Sequence, residues 1–377
     1  MWKEIINKYL EVDPQVSEIE TNGTLSLFLV KKGKRIEMEN FFPDIETYQE
    51  SIKELIQMVN KYAPENSRFL EEGTLFLKNI DGTDSLARCH IVLPPVSLNP
   101  LVTIARKTQN LTTLDNICAS GSMSKKMQNF IKAAIDCKLT ICLSGSTGSG
   151  KTTMLEAMTK YWPNNARIGV VEDAPELMLV QPNVVYLKSA VAKPGQNPNE
   201  TASLSWGVAQ LNRMRVDLII IGETRGKEFA DFLTAANSGC EGSMTTIHAE
   251  NPAMCLQKMN NFVNQAQASP QRVINQNISA TIDLIIQLNK TVDGKYRTTQ
   301  IAEVSRQLSN DESATIATHP IFVYDKETDS WDYNKPSDQL MEILNSHGYT
   351  DSFVKESYYE EEKSLGRPKF GFGRRSI

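Results

Sequence analysis

The sequence predicts an α/β protein with a mostly parallel sheet, preceded by a smaller α+β N-terminal domain. From residue 124 onward, short apolar runs rich in β-branched residues alternate with stripes of helical spacing, a pattern typical of buried parallel strands. The first hundred residues mix helical stripes with alternating strands and a Lys-Lys-Gly-Lys turn at 31–34, which indicates a hairpin. A chain of 377 residues is also too long for one compact core, so two domains are expected.

The spacing of apolar residues in the N-terminal region predicts two helices and three strands. Apolar residues three or four positions apart predict the helices, and short alternating or continuous apolar runs predict the strands. In chain order the predictions are a helix over 2–9, a strand around 25–29, a helix over 52–59, and strands at 74–78 and 87–93. Proline residues between 94 and 100 then interrupt regular structure.

The larger region begins with a helical stripe at Met127. An apolar strand at 139–143 leads into a glycine-rich loop, and a helix is predicted from Thr152 to about Trp162. Further buried strands are predicted at 168–171, 218–221, 244–247 and 284–288. The predicted domain plan is therefore an α+β domain at 1–105, a linker at 106–123, an α/β domain at 124–335, and a C-terminal extension with a basic tail at 336–377.

Composition and charge exclude several classes of protein. The net charge of −5 does not indicate a globally electropositive nucleic-acid binder. Six cysteines without a C-x-x-C pair predict reduced thiols and no zinc site. The charged N-terminus is no signal peptide, and no run approaches about eighteen apolar residues, so a cytoplasmic chain is predicted. The basic tail is either a solvated end or a contact with acidic lipid or an acidic partner; its charges are Arg367, Lys369, Arg374 and Arg375.

The glycine-rich loop matches the full P-loop pattern between a strand and a helix. Glycines let backbone N–H groups turn inward around phosphates, and the following helix adds its positive N-terminal end. Lys151 is predicted to reach the β- and γ-phosphates of ATP, and the Thr152 hydroxyl to ligate Mg²⁺. The predicted nucleotide-binding residues are Gly145, Ser146, Thr147, Gly148, Ser149, Gly150, Lys151, Thr152 and Thr153.

Two predicted strands end in carboxylates beside this loop. One ends at Gly222-Glu223, where glycine stands at the position that P-loop proteins usually give to aspartate, and the other ends at Glu172-Asp173. A carboxylate there can hold Mg²⁺ through water or polarise the attacking water. Taken alone, each acid is more often a solvated strand end or a helix cap, but two such ends flanking a P-loop favour catalysis.

The sequence resembles the hexameric secretion ATPases of type II and type IV secretion systems and type IV pili. Four signatures occur in the family's order: GSTGSGKTT, VVEDAPEL, RMRVDLIIIGETRG and SGCEGSMTTIHAENP. Within the family, the resemblance favours the tight-adherence pilus and conjugative type IV secretion branch. It implies a RecA-like ATPase domain, ATP and Mg²⁺ as cofactors, a homo-hexamer with nucleotide between domains, inner-membrane components of a secretion or pilus machine as partners, and a peripheral position on the cytoplasmic membrane.

The same resemblance implies roles for individual side chains. Glu172 corresponds to the candidate general base, Glu223 to the acid that organises Mg²⁺ and water, and His248 to the histidine that senses the γ-phosphate. Arg88 and Arg106 fall where the family's N-terminal domain sends arginines to the phosphates, a task suited to a permanently charged, bidentate group. Three further arginines match either family positions or ordinary surface ion pairs: Arg213, Arg215 and Arg225.

Two positions depart from the family pattern: Cys240 replaces a common histidine and Val216 a common proline. The leading hypothesis is an ATPase that powers secretion, conjugation or pilus assembly. A second hypothesis is a non-catalytic, nucleotide-dependent scaffold, in which the Cys240 substitution indicates lost turnover. A nucleic-acid motor is the third, although no basic stripe interleaved with aromatic residues supports direct nucleic-acid binding. The sequence leaves open whether the cargo is DNA, protein or pilin.

Overall fold

The computed structural model describes residues 1–355, except 33, 60–69, 79–83, 108–111, 191–201, 268, 292 and 307–314. It divides into two compact units. The N-terminal unit contains Met1–Leu111 and Ala174–Met178, and the C-terminal unit contains Thr112–Asp173, Leu179–Ala190 and the chain from Thr201. Regular structure extends into the predicted 106–123 linker from both sides, and the predicted domain boundaries themselves stay predictions.

The N-terminal unit is built on a six-stranded sheet in which every paired strand is antiparallel. The strand order is β3-β2-β1-β6-β5-β4. Its strands are β1 (Val16–Thr21), β2 (Leu27–Lys31), β3 (Lys34–Met38), β4 (Leu70–Lys78), β5 (Asp84–Val92) and β6 (Leu101–Lys107). Its helices are α1 (Trp2–Ile6), which continues as a π-helical turn over Asn7–Glu11, and α2 (Ile45–Val59).

The predicted helical stripes of this unit pack against its sheet. Trp2 and Leu10 are fully buried, and the Trp2 indole Nε1 donates to the Ser51 Oγ of α2 at 3.0 Å. The Tyr48 hydroxyl donates to the Pro100 carbonyl at 2.5 Å, which satisfies a polar group in an otherwise apolar core. The structure thus confirms the two predicted helices and the three predicted strands.

The C-terminal unit contains a nine-stranded sheet in the order β15-β14-β13-β12-β7-β11-β10-β8-β9. The six strands from β12 to β9 in this order are parallel, and β13, β14 and β15 extend one side as antiparallel strands. The strands are β7 (Ile141–Gly145), β8 (Ile168–Glu172), β9 (Val184–Lys188), β10 (Leu218–Thr224), β11 (Met244–Ile247), β12 (Leu284–Lys290), β13 (Tyr296–Val304), β14 (Thr318–Asp325) and β15 (Ser330–Tyr333).

Helices cover this sheet, and most are capped by side chains that the sequence supplies. Ser124, Ser203 and Asn251 accept hydrogen bonds from the first turns of three of them, which satisfies backbone donors that a helix start leaves free. The helices are α3 (Leu114–Ala119), α4 (Lys125–Asp136), α5 (Lys151–Thr159), α6 (Leu204–Arg213), α7 (Glu228–Ala236), α8 (Pro252–Ala266), α9 (Gln271–Thr281) and α10 (Asp338–Ser346). Within the described residues, no helix is long and apolar enough to cross a membrane.

Parallel pairing brings the ends of the predicted strands to one edge of the sheet, called here the carboxyl edge. β7 lies between β11 and β12, and Ser144 pairs with Ile247 on one side and Gln287 on the other. Every residue of β7 and β8 is buried, which explains their continuous apolar character. The glycine-rich loop therefore begins at the middle of the carboxyl edge, where α/β folds commonly bind ligands.

The end of the described chain is attached to the C-terminal unit by an aromatic cluster of Phe130, Phe322, Tyr333 and Phe353. The Phe353 ring is 2% exposed and lies 4.9 Å from the Phe130 ring centroid. Lys126 Nζ lies 3.2 Å from the centroid of Tyr333, a cation–π contact. Lys355 adds an ion pair of 2.5 Å with Asp136 of α4. The predicted C-terminal extension thus includes both a helix and a packed segment.

Candidate functional site

The loop between β7 and α5 needs glycine for two different physical reasons. Gly148 and Gly150 have φ values of +71° and +93°, in the left-handed region that L side chains rarely adopt. At Gly145 the reason is close packing, because a Cβ there would lie 2.2 Å from the Leu288 carbonyl oxygen. The loop can therefore wrap tightly while keeping its backbone N–H groups free of side-chain obstruction.

Lys151 is the first residue of α5, directly after this loop, and is only 7% exposed. Its Nζ donates to the carbonyl oxygens of Gly145 and Ser146, each at 2.8 Å, and lies 3.2 Å from His248 Nδ1. Burial lowers the pKa of Lys151, while the nearby Glu223 carboxylate raises it. The Lys151 ammonium group is therefore held at the carboxyl edge with little access to water.

Ser149 gives this loop a second feature that points to a ligand. Its side chain is 2% exposed, and its Oγ has no hydrogen-bond partner. Leaving a buried hydroxyl unsatisfied costs about 1–3 kcal/mol. An anionic oxygen bound inside the loop would accept this hydrogen bond, so the donor set fits a phosphate.

Glu223 and His248 meet beside Lys151. His248 Nε2 lies 2.7 Å from Glu223 Oε1, and Arg225 Nη2 lies 2.5 Å from Glu223 Oε2. Burial raises the pKa of Glu223, but the hydrogen bond and charge of Arg225, with His248 and Lys151, outweigh it and lower the pKa overall. Burial and the charge of Lys151 lower the pKa of His248 from its ordinary value, while Glu223 and a hydrogen bond with the Gly145 backbone raise it.

In the neutral form of His248, its contacts with Lys151 and Glu223 decide which ring nitrogen carries the proton. Lys151 Nζ can only donate, so Nδ1 accepts its hydrogen bond. Nε2 then carries the proton and donates to the Glu223 carboxylate. The three residues therefore form a directed hydrogen-bond chain from the P-loop lysine to the acid at the end of β10.

Glu172 lies at the end of β8, next to β10, and is 5% exposed. A Cβ added to Gly222 would lie 2.7 Å from its Cγ and 2.8 Å from its Oε1. The Glu172 side chain therefore passes directly over the Cα of Gly222. This contact gives a physical reason for glycine at the position where P-loop proteins usually have aspartate.

A model of the family described as "Type II/IV secretion system protein" matches residues 50–328, more than half of the chain. The chain belongs to this family. The predicted family assignment is therefore confirmed.

The relatives of this chain include proteins named for conjugation and for secretion. The chain is 32% identical to the type IV secretion system protein VirB11 of Bartonella quintana over 213 residues, covering 56% of this chain and 59% of that protein. It is 30% identical to the conjugal transfer protein TrbB of Rhizobium radiobacter over 207 residues, covering 54% and 60%. The chain thus spans less than two thirds of the length of these relatives.

Solved structures show the same fold at low sequence identity. The ATPase DotB of Legionella pneumophila matches with a TM-score of 0.55 and 16% identity, over 88% of this chain and 82% of that one. The pilus retraction motor PilT with bound ADP matches with a TM-score of 0.55 and 14% identity, over 96% and 89%. These likenesses confirm the predicted RecA-like α/β fold with its smaller N-terminal sheet.

The other predicted site residues differ in their surroundings within each unit. Thr152 and Thr153 occupy the first turn of α5 and are half-buried, and Asp173 Oδ1 accepts a 2.6 Å hydrogen bond from Ser189. In the N-terminal unit, Arg88 is exposed on β5, and Arg106 Nη2 on β6 donates to the Asp13 carbonyl at 3.2 Å. Their predicted contact with phosphate stays a prediction.

The two departures from the family pattern contact each other. Cys240 Sγ lies 3.4 Å from the Val216 carbonyl oxygen, and both residues are 5% exposed. Val216 precedes β10 and Cys240 precedes β11, so this pair lies at the amino ends of the parallel strands, opposite the carboxyl edge. Both substitutions are therefore part of the core and not of the P-loop site.

The sequence analysis missed Gln287 and Lys258, which hold the loop after β11. Gln287 Nε2 donates to the carbonyls of Ala249 and Glu250, each at 3.1 Å, and Lys258 Nζ donates to the His248 carbonyl at 2.5 Å. A glutamine inside the apolar run of β12 was the available signal, because a buried polar residue requires a partner.

Proposed function

We propose that this protein hydrolyses ATP to ADP and phosphate and that the reaction powers a secretion, conjugation or pilus-assembly machine from the cytoplasmic face of the membrane. The observation that supports hydrolysis is the convergence at the carboxyl edge of a buried P-loop lysine with the Glu223–His248 pair. A phosphate-binding loop alone holds a nucleotide. The adjacent carboxylates add groups that can act on water.

In the proposed mechanism, Lys151 and the backbone N–H groups of the P-loop bind the phosphates and offset their charge. Lys151 exchanges its hydrogen bonds with the Gly145 and Ser146 carbonyls for bonds to phosphate oxygens. Ser149 gains an acceptor for its buried hydroxyl. Lys151 and Ser149 would then each donate to an anionic oxygen of the substrate.

Glu172 is proposed as the general base that accepts a proton from the attacking water, and Glu223 as the acid that orients that water. Mg²⁺ would supply charge neutralisation between the phosphates, with the Thr152 hydroxyl and Glu223 as its protein ligands. Few protein ligands are needed, because Mg²⁺ in nucleotide sites is usually held by one or two side chains together with phosphates and water. His248, in contact with both Lys151 and Glu223, would respond when the γ-phosphate changes the position of Lys151.

The proposed biological role comes from the relatives. TrbB is named for conjugal transfer and VirB11 for type IV secretion, and the PilT structure contains ADP. By extension, we place this chain in a homo-hexamer that contacts membrane components of such a machine, with Arg88 and Arg106 reaching the nucleotide from the N-terminal unit. The alternative of a non-catalytic scaffold rested on Cys240, which lies at the opposite edge of the sheet.

Replacing Lys151 with alanine tests the hydrolysis directly. The change removes charge-assisted hydrogen bonds to phosphate, each worth about 1.5–3 kcal/mol, so phosphate release from ATP should fall to background. Lys326→Ala, which removes an exposed lysine of the same unit, is the matched control and should retain activity. If Lys151→Ala folds normally, by circular dichroism, and still turns over ATP at the wild-type rate, the proposal is wrong.

A further inference from the structure

Tyr296 is an exposed aromatic residue that contacts the P-loop. It begins β13 and is 46% exposed. Its ring packs against the last glycine of the loop, because a Cβ added to Gly150 would lie 3.5 Å from Tyr296 Cδ1. A large ring with this exposure beside a phosphate-binding loop presents an apolar surface next to a strongly polar one.

The hairpin between β12 and β13 fixes the position of this ring. β12 pairs with β7 up to the register Leu288–Gly145, so the hairpin emerges beside the start of the loop. At the turn, Thr291 N donates to the Lys295 carbonyl at 2.8 Å and Gly294 N to the Thr291 carbonyl at 2.9 Å. Lys290 pairs with Tyr296 across the strands, and its Nζ lies 5.5 Å from the ring centroid.

The ring lies beside the phosphate-binding groups and not among them. Lys151 Nζ is directed toward Gly145, Ser146 and His248, whereas Tyr296 borders Gly150 at the N-terminal end of α5. A nucleotide whose phosphates lie in the loop extends its ribose and base outward from it. An aromatic face just outside the loop is a suitable surface for a flat, apolar base.

We propose that Tyr296 is the stacking surface for the base of the bound nucleotide. The proposal rests on the nucleotide-binding function proposed above and identifies the part of the substrate that this residue recognises. Stacking uses the π-face that every base has, so Tyr296 contributes affinity and not discrimination between adenine and guanine. Stacking requires the aromatic ring of Tyr296 and not its hydroxyl group.

The test compares a complete nucleotide with its phosphate part alone. Binding of Mg-ADP and Mg-pyrophosphate is measured by calorimetry for the wild type, Tyr296→Ala and Tyr296→Phe. Trp206→Ala is the matched control: Trp206 is 49% exposed, and its helix α6 packs on β8 and β9, away from the β12–β13 hairpin.

In Tyr296→Ala, affinity for ADP should fall roughly 5- to 150-fold, the range for one base stacked on one aromatic ring, while affinity for pyrophosphate stays at the wild-type value. Tyr296→Phe should restore ADP binding, and Trp206→Ala should change neither ligand. Unchanged ADP binding in Tyr296→Ala overturns the inference, as does an equal loss for both ligands, which would show an effect on the loop. A wild-type protein that binds neither ligand would instead refute the proposed function itself.

Discussion

At the scale of single residues, the contact between Glu172 and Gly222 connects two strands that the sequence separates by about fifty positions. Gly222 leaves the space that the Glu172 side chain occupies, so the identity of one residue depends on the other. The carboxylate is held between β8 and β10 with little freedom, which suits a group that must accept a proton at a defined position.

Gly222→Ala should displace Glu172 while leaving the fold intact. The new Cβ would lie 2.7 Å from Glu172 Cγ, and such overpacking typically costs about 1–3 kcal/mol. If Glu172 is the base, ATP turnover should fall by roughly 10²-fold, the lower end for a positioned base, with ADP affinity retained. The matched control is Gly226→Ala, where the neighbours at 3.3 and 3.4 Å are the ends of the Gln265 and Glu228 side chains. Full turnover in Gly222→Ala would argue against Glu172 as the base.

The sequence named candidate residues of the site but not their contacts. Lys151 was named from the P-loop pattern, Glu223 as a carboxylate at a strand end and His248 from the family resemblance. The structure brings these three together, and their roles stay predictions. The Glu172–Gly222 packing, the Cys240–Val216 pair and the Tyr296–Gly150 contact could not be predicted. Each depends on which strands become neighbours in space, and local apolar spacing does not encode that order.

At the scale of secondary-structure elements, the loop after β11 is held by its neighbours β12 and α8. Gln287 bonds two consecutive carbonyls of this loop, and Lys258 bonds a third. Backbone carbonyls in a loop that is not part of the sheet would otherwise need water or remain unsatisfied. The two side chains therefore act as positioning residues for His248.

Gln287→Leu should loosen this loop without removing any group proposed to touch nucleotide. The side chain is 2% exposed, so the change to an apolar residue leaves two carbonyls without their donor at a cost of about 1–3 kcal/mol. Hydrogen exchange over residues 248–250 should speed up and turnover should fall, while pyrophosphate binding at the P-loop persists. Thr299→Val, which removes the hydroxyl that donates to the Gln287 carbonyl at 3.4 Å, is the control. Unchanged exchange over 248–250 would show that Gln287 does not hold the loop.

Strands could be predicted from the sequence where every one of their residues is buried. The all-buried strands β7, β8 and β11 match their apolar runs within two residues, because strands covered on both faces need apolar residues throughout. β9 and the antiparallel β13 to β15 had not been predicted. β9 and β15 lie at the edges of the sheet and mix exposed with half-buried residues, so their sequences lack a continuous apolar signal.

At the scale of the whole molecule, assembly is the property that the proposed function most requires. If six copies share nucleotide between subunits or domains, binding of nucleotide and assembly are linked, and each must strengthen the other. The single chain supplies a P-loop site, and the ring would supply transmission of the reaction to a membrane machine.

Non-hydrolysable ATP with Mg²⁺ should therefore shift the protein toward a hexamer at micromolar concentration, as measured by light scattering or native mass spectrometry. The Lys151→Ala variant should not form more hexamer under the same conditions, because it lacks the main phosphate contact. The Lys326→Ala variant should assemble like the wild type. A strict monomer at saturating nucleotide would contradict the proposed assembly.

The aromatic cluster around Phe353 has a practical consequence for such measurements. Because Phe353 is enclosed by Phe130, Phe322 and Tyr333, and Lys355 is paired with Asp136, the backbone up to residue 355 is held firmly on the C-terminal unit. A fluorophore attached at this position would rotate together with that unit. Depolarisation of its emission would then report ring assembly directly, without any probe near the nucleotide.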